Sequence, residues 1–393
     1  MQYRRFGRTE LPMPVFSCGG MRYQFKWQNL PAEEIPQDNQ RNLKTIIRHS
    51  LEVGINHIET ARGYGTSEMQ LGTILPHLPR EQLIVQTKVS PKPDPQEFRH
   101  QFQQSLAFLK LDYVDLFSLH GINTYERLDY GIRPGGCLEV ARQLQAEGKV
   151  RFIGFSTHGP TDMIVKAIET NQFDYLNLHW YYINQLNWPA IEAANRHDMG
   201  VFIISPSDKG GMLYKPPPRL VELCAPLSPM VFNDLFCLSH PQVHTLSIGA
   251  SQASDFDEHL KTIELLEQAE EILPPILERL EQAAIARLGK DWVNSWYWGL
   301  PSHEITPGGV NIPVILWLRN LAIAYDMLEY AKKRYNLLSS AGHWFPGATA
   351  EGVKELDLEQ CLHQSPHASQ IPALLEDAHQ LLKGQAVKRL SQQ

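Results

Sequence analysis

Cysteine is scarce in this chain and follows no pattern. The five thiols (Cys18, Cys137, Cys224, Cys237 and Cys361) are odd in number and include no Cys-x-x-Cys pair. That usage excludes a disulfide framework and a thiolate zinc site, and it points to reduced thiols in a cytoplasmic protein. Long apolar runs are missing too. Residues 312–318 are among the longest and fall far short of the ~20 that span a bilayer, so no membrane segment is expected. The start, Met1-Gln2-Tyr3-Arg4-Arg5-Phe6-Gly7, has charge but no apolar stretch behind it, and no signal peptide is expected. Positive charge is not in excess. A formal net charge of -7 and the lack of a basic stripe argue against a nucleic-acid partner. Repeats and low-complexity segments are absent apart from Lys215-Pro216-Pro217-Pro218, a stiff loop element.

What remains is an ordinary globular composition, 43% hydrophobic and 20% charged, over 393 residues, enough for a barrel and a second domain. Residues 2–14 read as a short hairpin turning at Gly7 and Arg8. Apolar strands then begin near Val15, Asn56, Leu83, Tyr113, Val150, Tyr175, Gly200 and His244. Amphipathic helices are expected between them over 38–53, 94–109, 137–147, 161–170, 188–198 and 254–267. Strands apolar on both faces and alternating with helices predict a parallel sheet, and eight of them predict an α/β fold closed as a (β/α)8 TIM barrel. The barrel is expected over 1–265 and a C-terminal helical appendage over 266–393. In the appendage a Glu- and Leu-rich helical pattern is interrupted at Pro274-Pro275. Three tryptophans crowd 292–298 and are expected in the core, a long helix covers 312–338, and an amphipathic helix covers 370–386.

The chemistry gathers around His57-Ile58-Glu59-Thr60-Ala61-Arg62-Gly63-Tyr64-Gly65-Thr66-Ser67-Glu68. Here an apolar strand ends on a carboxylate, turns through two glycines and enters a helix. The next two strands end on Lys88 and His120. In a parallel barrel the carboxyl ends of the strands form one face, where active sites sit. A phenol is a poor acid at neutral pH unless a cation stabilises its phenolate. Lys88 supplies that cation to Tyr64, Glu59 holds the ammonium, and His120 can hydrogen-bond a carbonyl oxygen. The set suits protonation of a carbonyl oxygen while a hydride reaches its carbon, and the hydride requires a nicotinamide.

At these residues the chain resembles the aldo-keto reductase family, whose Asp-Thr-Ala-x-x-Tyr-Gly motif stands here as Glu59-Thr60-Ala61-Arg62-Gly63-Tyr64-Gly65. Thr87-Lys88 and Leu119-His120 match the family's lysine and histidine strands. The resemblance implies Tyr64 as general acid, Lys88 as its tuning cation, His120 as the carbonyl donor and Glu59, in place of Asp, as the partner of Lys88. It also implies coenzyme contacts. Gly20, Met21 and Arg22 would pass under the nicotinamide ribose, and Ser156, Thr157 and Asn177 would take the carboxamide. Ser205 follows the strand whose end packs on the nicotinamide, and Gly249 and Ser251 belong to a phosphate loop. Glu258 and His259 stand at the adenine, and Asp255 where an Arg often pairs with a 2'-phosphate. The resemblance favours NADP(H), with NAD(H) open because of Asp255.

The C-terminal segment has a second resemblance. Gly309-Val310-Asn311-Ile312-Pro313 and Gly342-His343-Trp344-Phe345-Pro346-Gly347 are similar to the appendage of aldo-keto reductases that carry a ferredoxin-like iron–sulfur domain. A [4Fe–4S] cluster needs four thiolates. Residues 266–393 hold only Cys361, so no cluster and no metal are expected. The reading is a cytoplasmic NAD(P)H-dependent reductase of a small aldehyde or ketone. Its rivals are a nucleotide-sensing or protein-binding barrel and an electron-transfer role.

Overall fold

The hairpin at the N-terminus pairs β1 (Tyr3–Arg5) antiparallel with β2 (Pro12–Pro14). The computed structural model describes residues 1–388. Phe6 leaves the hairpin inward and packs with Leu11, Met13, Ile84, Leu116, Tyr175 and Phe202 as a buried floor beneath the next sheet. Gly200 is needed there, because a Cβ on it would lie 2.7 Å from the Phe6 ring.

Eight parallel strands follow: β3 (Phe16–Gly19), β4 (His57–Glu59), β5 (Ile84–Val89), β6 (Val114–Leu119), β7 (Val150–Ser156), β8 (Tyr175–Leu178), β9 (Gly200–Ile203) and β10 (Thr245–Ile248). They pair in chain order and β10 returns to β3, closing the (β/α)8 barrel that the spacing predicts. Each begins within one residue of its expected start. The helices between them end where local chemistry dictates. In Pro95–Leu109, for example, Asp94 accepts from Gln96 N at 2.9 Å, Pro95 needs no donor partner at the first position, and Lys110 closes the helix in the left-handed region.

The barrel interior holds a polar layer that the apolar strand pattern does not announce. The Ser17 hydroxyl lies 2.6 Å from His57 Nδ1 and 2.7 Å from Thr245 Oγ1. Gln86 Nε2 donates to Ser118 Oγ at 3.0 Å and to Asn177 Oδ1 at 3.3 Å, and Ser118 Oγ meets Tyr175 OH at 2.9 Å. Burial pushes the His57 ring down to about 3, so it is neutral in this layer.

The chain forms two compact units whose bounds differ from the simple split at 265. One comprises Met1–Gly210 with Asn233–Ala269, and the other comprises Gly211–Phe232 with the residues from Glu270 on. Within the second unit, Arg279 Nε donates to Leu223 O at 3.2 Å, tying the excursion after β9 to the helix Ala269–Leu288. That helix runs unbroken through Pro274 and Pro275. Both prolines and Glu270 and Glu271 are exposed, so the carbonyls that lose their N–H partners can be hydrated. The long helix expected at 312–338 is two, Ile312–Tyr325 and Leu328–Tyr335, parted by Asp326 at φ 58°. Of the tryptophans at 292–298, Trp292 is in the core and donates to Asn320 Oδ1 at 2.9 Å, whereas Trp298 is exposed. The helix expected over 254–267 is instead a short helix, Asp257–Leu260, between 3-10 turns. The last helix is Ile371–Leu382. Among the described residues no single helix is long and apolar enough to cross a membrane, and no group of three His, Cys, Asp or Glu could hold a metal ion.

Candidate active site

Side chains alternate along a strand, so Glu59, Lys88 and His120 reach the inner face from the ends of neighbouring strands β4, β5 and β6. Lys88 and Glu59 are almost wholly buried and in direct contact. Lys88 Nζ also donates to Thr60 O at 2.9 Å. Burial pushes the Lys88 ammonium down, and contact with the Glu59 carboxylate works against that push. Tyr64, on the turn after β4, presents its ring 4.9 Å from Lys88 Nζ and stands edge-on to the His120 ring, with centroids 5.6 Å apart. Trp27 closes the other side of Tyr64, edge-on at 6.4 Å. The four expected catalytic side chains therefore meet on one rim.

The Glu59 substitution has a geometric consequence. Its Oε1 touches Lys88 and also accepts from Tyr64 OH at 3.5 Å. One carboxylate oxygen bridges the ammonium and the phenol. The turn that carries Tyr64 is anchored by Glu68, at the start of the helix Ser67–Leu71. Glu68 is buried, pairs with Arg62 and accepts from Thr87 Oγ1 at 2.6 Å. Burial pushes its carboxyl up while Arg62 opposes this.

The expected coenzyme residues divide into those at the rim and those with other work. A Cβ at Gly20 would lie 2.5 Å from Glu59 O, so that glycine permits a close approach of chain segments. Met21 is partly exposed beside it. Arg22 donates to the buried Asp208 at 3.1 Å and lies against Gly249, where a Cβ would come 3.2 Å from Arg22 Cδ. Asp208 carries no signal in the sequence pattern. Ser205 holds a left-handed φ of 54°, and its carbonyl accepts from Lys209 N at 3.0 Å. Asn177 is buried at the end of β8 with its Nδ2 lacking an acceptor among the described residues. Ser156 Oγ accepts from Gly121 N at 3.1 Å, and Thr157 Oγ1 donates to Ile122 O at 2.6 Å, so both tie down the loop after His120.

Three of the positions have local partners of their own. Asp255 turns inward on its own loop, accepting from Ser251 N at 2.7 Å, Ser251 Oγ at 2.8 Å and Gln252 N at 3.2 Å. These bonds hold its carboxyl below the usual range although burial opposes them. Glu258 pairs with Lys261 at 2.5 Å. His259 is buried with both ring nitrogens engaged, at Asp234 and Ser207, and does not face outward as an adenine contact would. At the mouth, His179 lies between His158 and Tyr181, 2.5 Å from each.

This is a closed parallel barrel with a carboxylate, an ammonium, a phenol and an imidazole gathered on one rim. The sequence model described as Aldo/keto reductase family matches residues 17–213. The chain belongs to the aldo/keto reductase family. Among curated relatives it is 26% identical over 203 residues to the NADH-specific methylglyoxal reductase of Escherichia coli (strain K12), covering 46% of this chain and 60% of that one. It is 34% identical over 129 residues to aldo-keto reductase family 1 member A1 of Mus musculus, covering 31% and 35% respectively. The match thus spans about three fifths of the bacterial relative and a third of the mammalian one. An aldo-keto reductase of Bacillus halodurans in its holo form shares the fold with a TM-score of 0.59 at 21% identity, over 71% of this chain and 96% of that one.

Proposed function

We propose that the chain reduces small aldehydes or ketones to alcohols with a reduced nicotinamide dinucleotide, Tyr64 giving the proton. The convergence of Tyr64, Lys88, Glu59 and His120 on one rim carries this reading. The substrate oxygen is placed between Tyr64 OH and the His120 ring. As negative charge develops on that oxygen, the phenol donates its proton and the nearby Lys88 ammonium stabilises the phenolate left behind. Glu59 keeps the ammonium charged and in place. The nicotinamide, when bound, supplies the hydride.

The residues present fit such a coenzyme. Asn177 Nδ2 is a buried donor in want of an acceptor, which a carboxamide oxygen provides. Arg22 against the Gly249 backbone suits a diphosphate. Asp255 decides between the two coenzymes in this reading. Its carboxylate already takes the Ser251 and Gln252 donors that a 2'-phosphate would use, and it would repel that phosphate. NADH is therefore preferred over NADPH, although the family resemblance leans the other way. The bacterial relative is itself named as NADH-specific, whereas a structural neighbour from Klebsiella pneumoniae is described in complex with NADPH.

The second unit is read as the shell of a ferredoxin-like module that has lost its cluster ligands. The test is titration of tryptophan fluorescence with NADH and NADPH, followed by a carbonyl panel including 2-oxoaldehydes. Tyr64→Phe should bind NADH as wild type does and lose turnover by at least ~100-fold. A wild type that binds nucleotide and reduces nothing would move the reading to a nucleotide sensor.

A further inference from the structure

The segment after β9 and the helix Pro229–Leu238 bring together three groups that the reductase reading leaves without a task. Asp234 is wholly buried on that helix and hydrogen-bonded through Oδ2 to His259 Nδ1 at 2.5 Å. A carboxylate at Nδ1 sets the tautomer, with the proton on Nδ1 and the lone pair on Nε2. That lone pair faces Ser207 Oγ at 3.3 Å. Ser207 is partly exposed and follows the carboxyl end of β9, on the rim where barrels carry out chemistry. All three residues lie in the barrel unit.

Asp234 Oδ1 has no hydrogen-bond partner among the described residues. A clip that merely tied this helix to the loop would not require a buried carboxylate with one oxygen unsatisfied. An amide or an apolar pair would do the same at lower desolvation cost. What the Asp–His pair supplies is a base of set tautomer aimed at a hydroxyl, and that makes a serine nucleophilic. A separation of 3.3 Å is on the long side, as nucleophile–base pairs often are before a substrate tightens them. The next residue, Asp208, holds the Arg22 guanidinium at 3.1 Å and so brings a donor for an oxyanion to the same segment.

We propose that Ser207 is an activated nucleophile and that the chain has a second activity, hydrolysis of small activated esters. Ser207 Oγ bonds to the ester carbonyl carbon as its proton passes to His259 Nε2. The bond from that carbon to the alkoxide breaks, and the proton on Nε2 goes to the departing oxygen. Water then attacks the acyl-serine and gives one proton to Nε2. Ser207 Oγ recovers that proton as the carboxylic acid leaves. Asp234 stays ionised throughout and balances the imidazolium. No electrons are exchanged, and water is the only co-reactant.

The full-length protein is treated with a fluorophosphonate probe and, separately, with p-nitrophenyl acetate. The expected result is a single label on Ser207 in the peptide mass spectrum and a burst of p-nitrophenolate equal to the protein concentration. Ser207→Ala should lose the label and hydrolyse the ester at least ~100-fold more slowly, and Asp234→Asn should slow labelling by a similar factor. Ser207→Ala is the deciding variant, since removing one partly exposed hydroxyl leaves the buried Asp–His pair in place. Wild type with a folded circular-dichroism spectrum that takes no label on Ser207 would overturn the proposal. So would Ser207→Ala hydrolysing the ester at the wild-type rate.

Discussion

Shortening Glu59 to Asp isolates what the bridging carboxylate does. Its Oε1 lies 3.5 Å from Tyr64 OH. Once the phenol has given up its proton, two negative oxygens face each other there. At an effective dielectric of ~20 the repulsion at that separation is about 4.7 kcal/mol. Removing one methylene withdraws the carboxylate by roughly 1.3 Å if the backbone holds. The repulsion then falls to about 3.5 kcal/mol. The difference, about 1.3 kcal/mol, is close to a factor of ten in rate and about one unit on the pH axis. Glu59→Asp should therefore raise the single-turnover rate of carbonyl reduction about tenfold and move its pH profile about one unit lower. The assay is stopped-flow loss of reduced-nicotinamide absorbance with protein in excess over coenzyme, from pH 5 to 9. Loss of one buried methylene should cost about 1 kcal/mol of stability, read separately by denaturant unfolding. A rate that stays level or drops while the protein remains folded would refute the bridging argument.

Asp255→Asn removes the charge that faces a 2'-phosphate and loosens its hold on the Ser251 donors. The ratio of NADPH to NADH affinity should rise by at least ~10-fold in calorimetric titration, and an unchanged ratio would count against an Asp255 role. Arg22→Ala should weaken NADH binding by roughly 10-fold and flatten its dependence on salt, measured by fluorescence titration at two ionic strengths. His57, pushed down to about 3 in the fold, is protonated near its ordinary pKa only when the chain unfolds. Between pH ~6.5 and ~3 the unfolded chain binds the extra proton, so stability falls as pH falls, by about 1.4 kcal/mol per unit from this ring. His57→Gln should remove that part of the slope in urea unfolding at pH 6.5 and 5, and a slope identical to wild type would show the ring is not buried neutral.

Much of the barrel is legible in the amino-acid order because its elements are local. Alternating apolar runs, Pro95 after a capping Asp94 and glycines at turns are read within a few residues, and all eight strands start where those signals place them. The rim set is legible for a related reason: a strand end in a parallel barrel has one destination, so Glu59, Lys88 and His120 must converge once the sheet closes. Sequence order could not reveal pairings that depend on closure. Nothing near Arg22 says it meets Asp208, and nothing near Lys88 says it donates to Thr60 O. The polar layer of Ser17, His57, Gln86, Ser118 and Thr245 reads as scattered breaks in apolar strands until the strands stand side by side. Asp234 and His259, 25 residues apart, become one buried pair in the same way. Local periodicity determined the elements and their order. The partners of each polar group were decided by tertiary structure, because a hydrogen bond is satisfied by whatever burial brings within reach, whatever its distance along the chain.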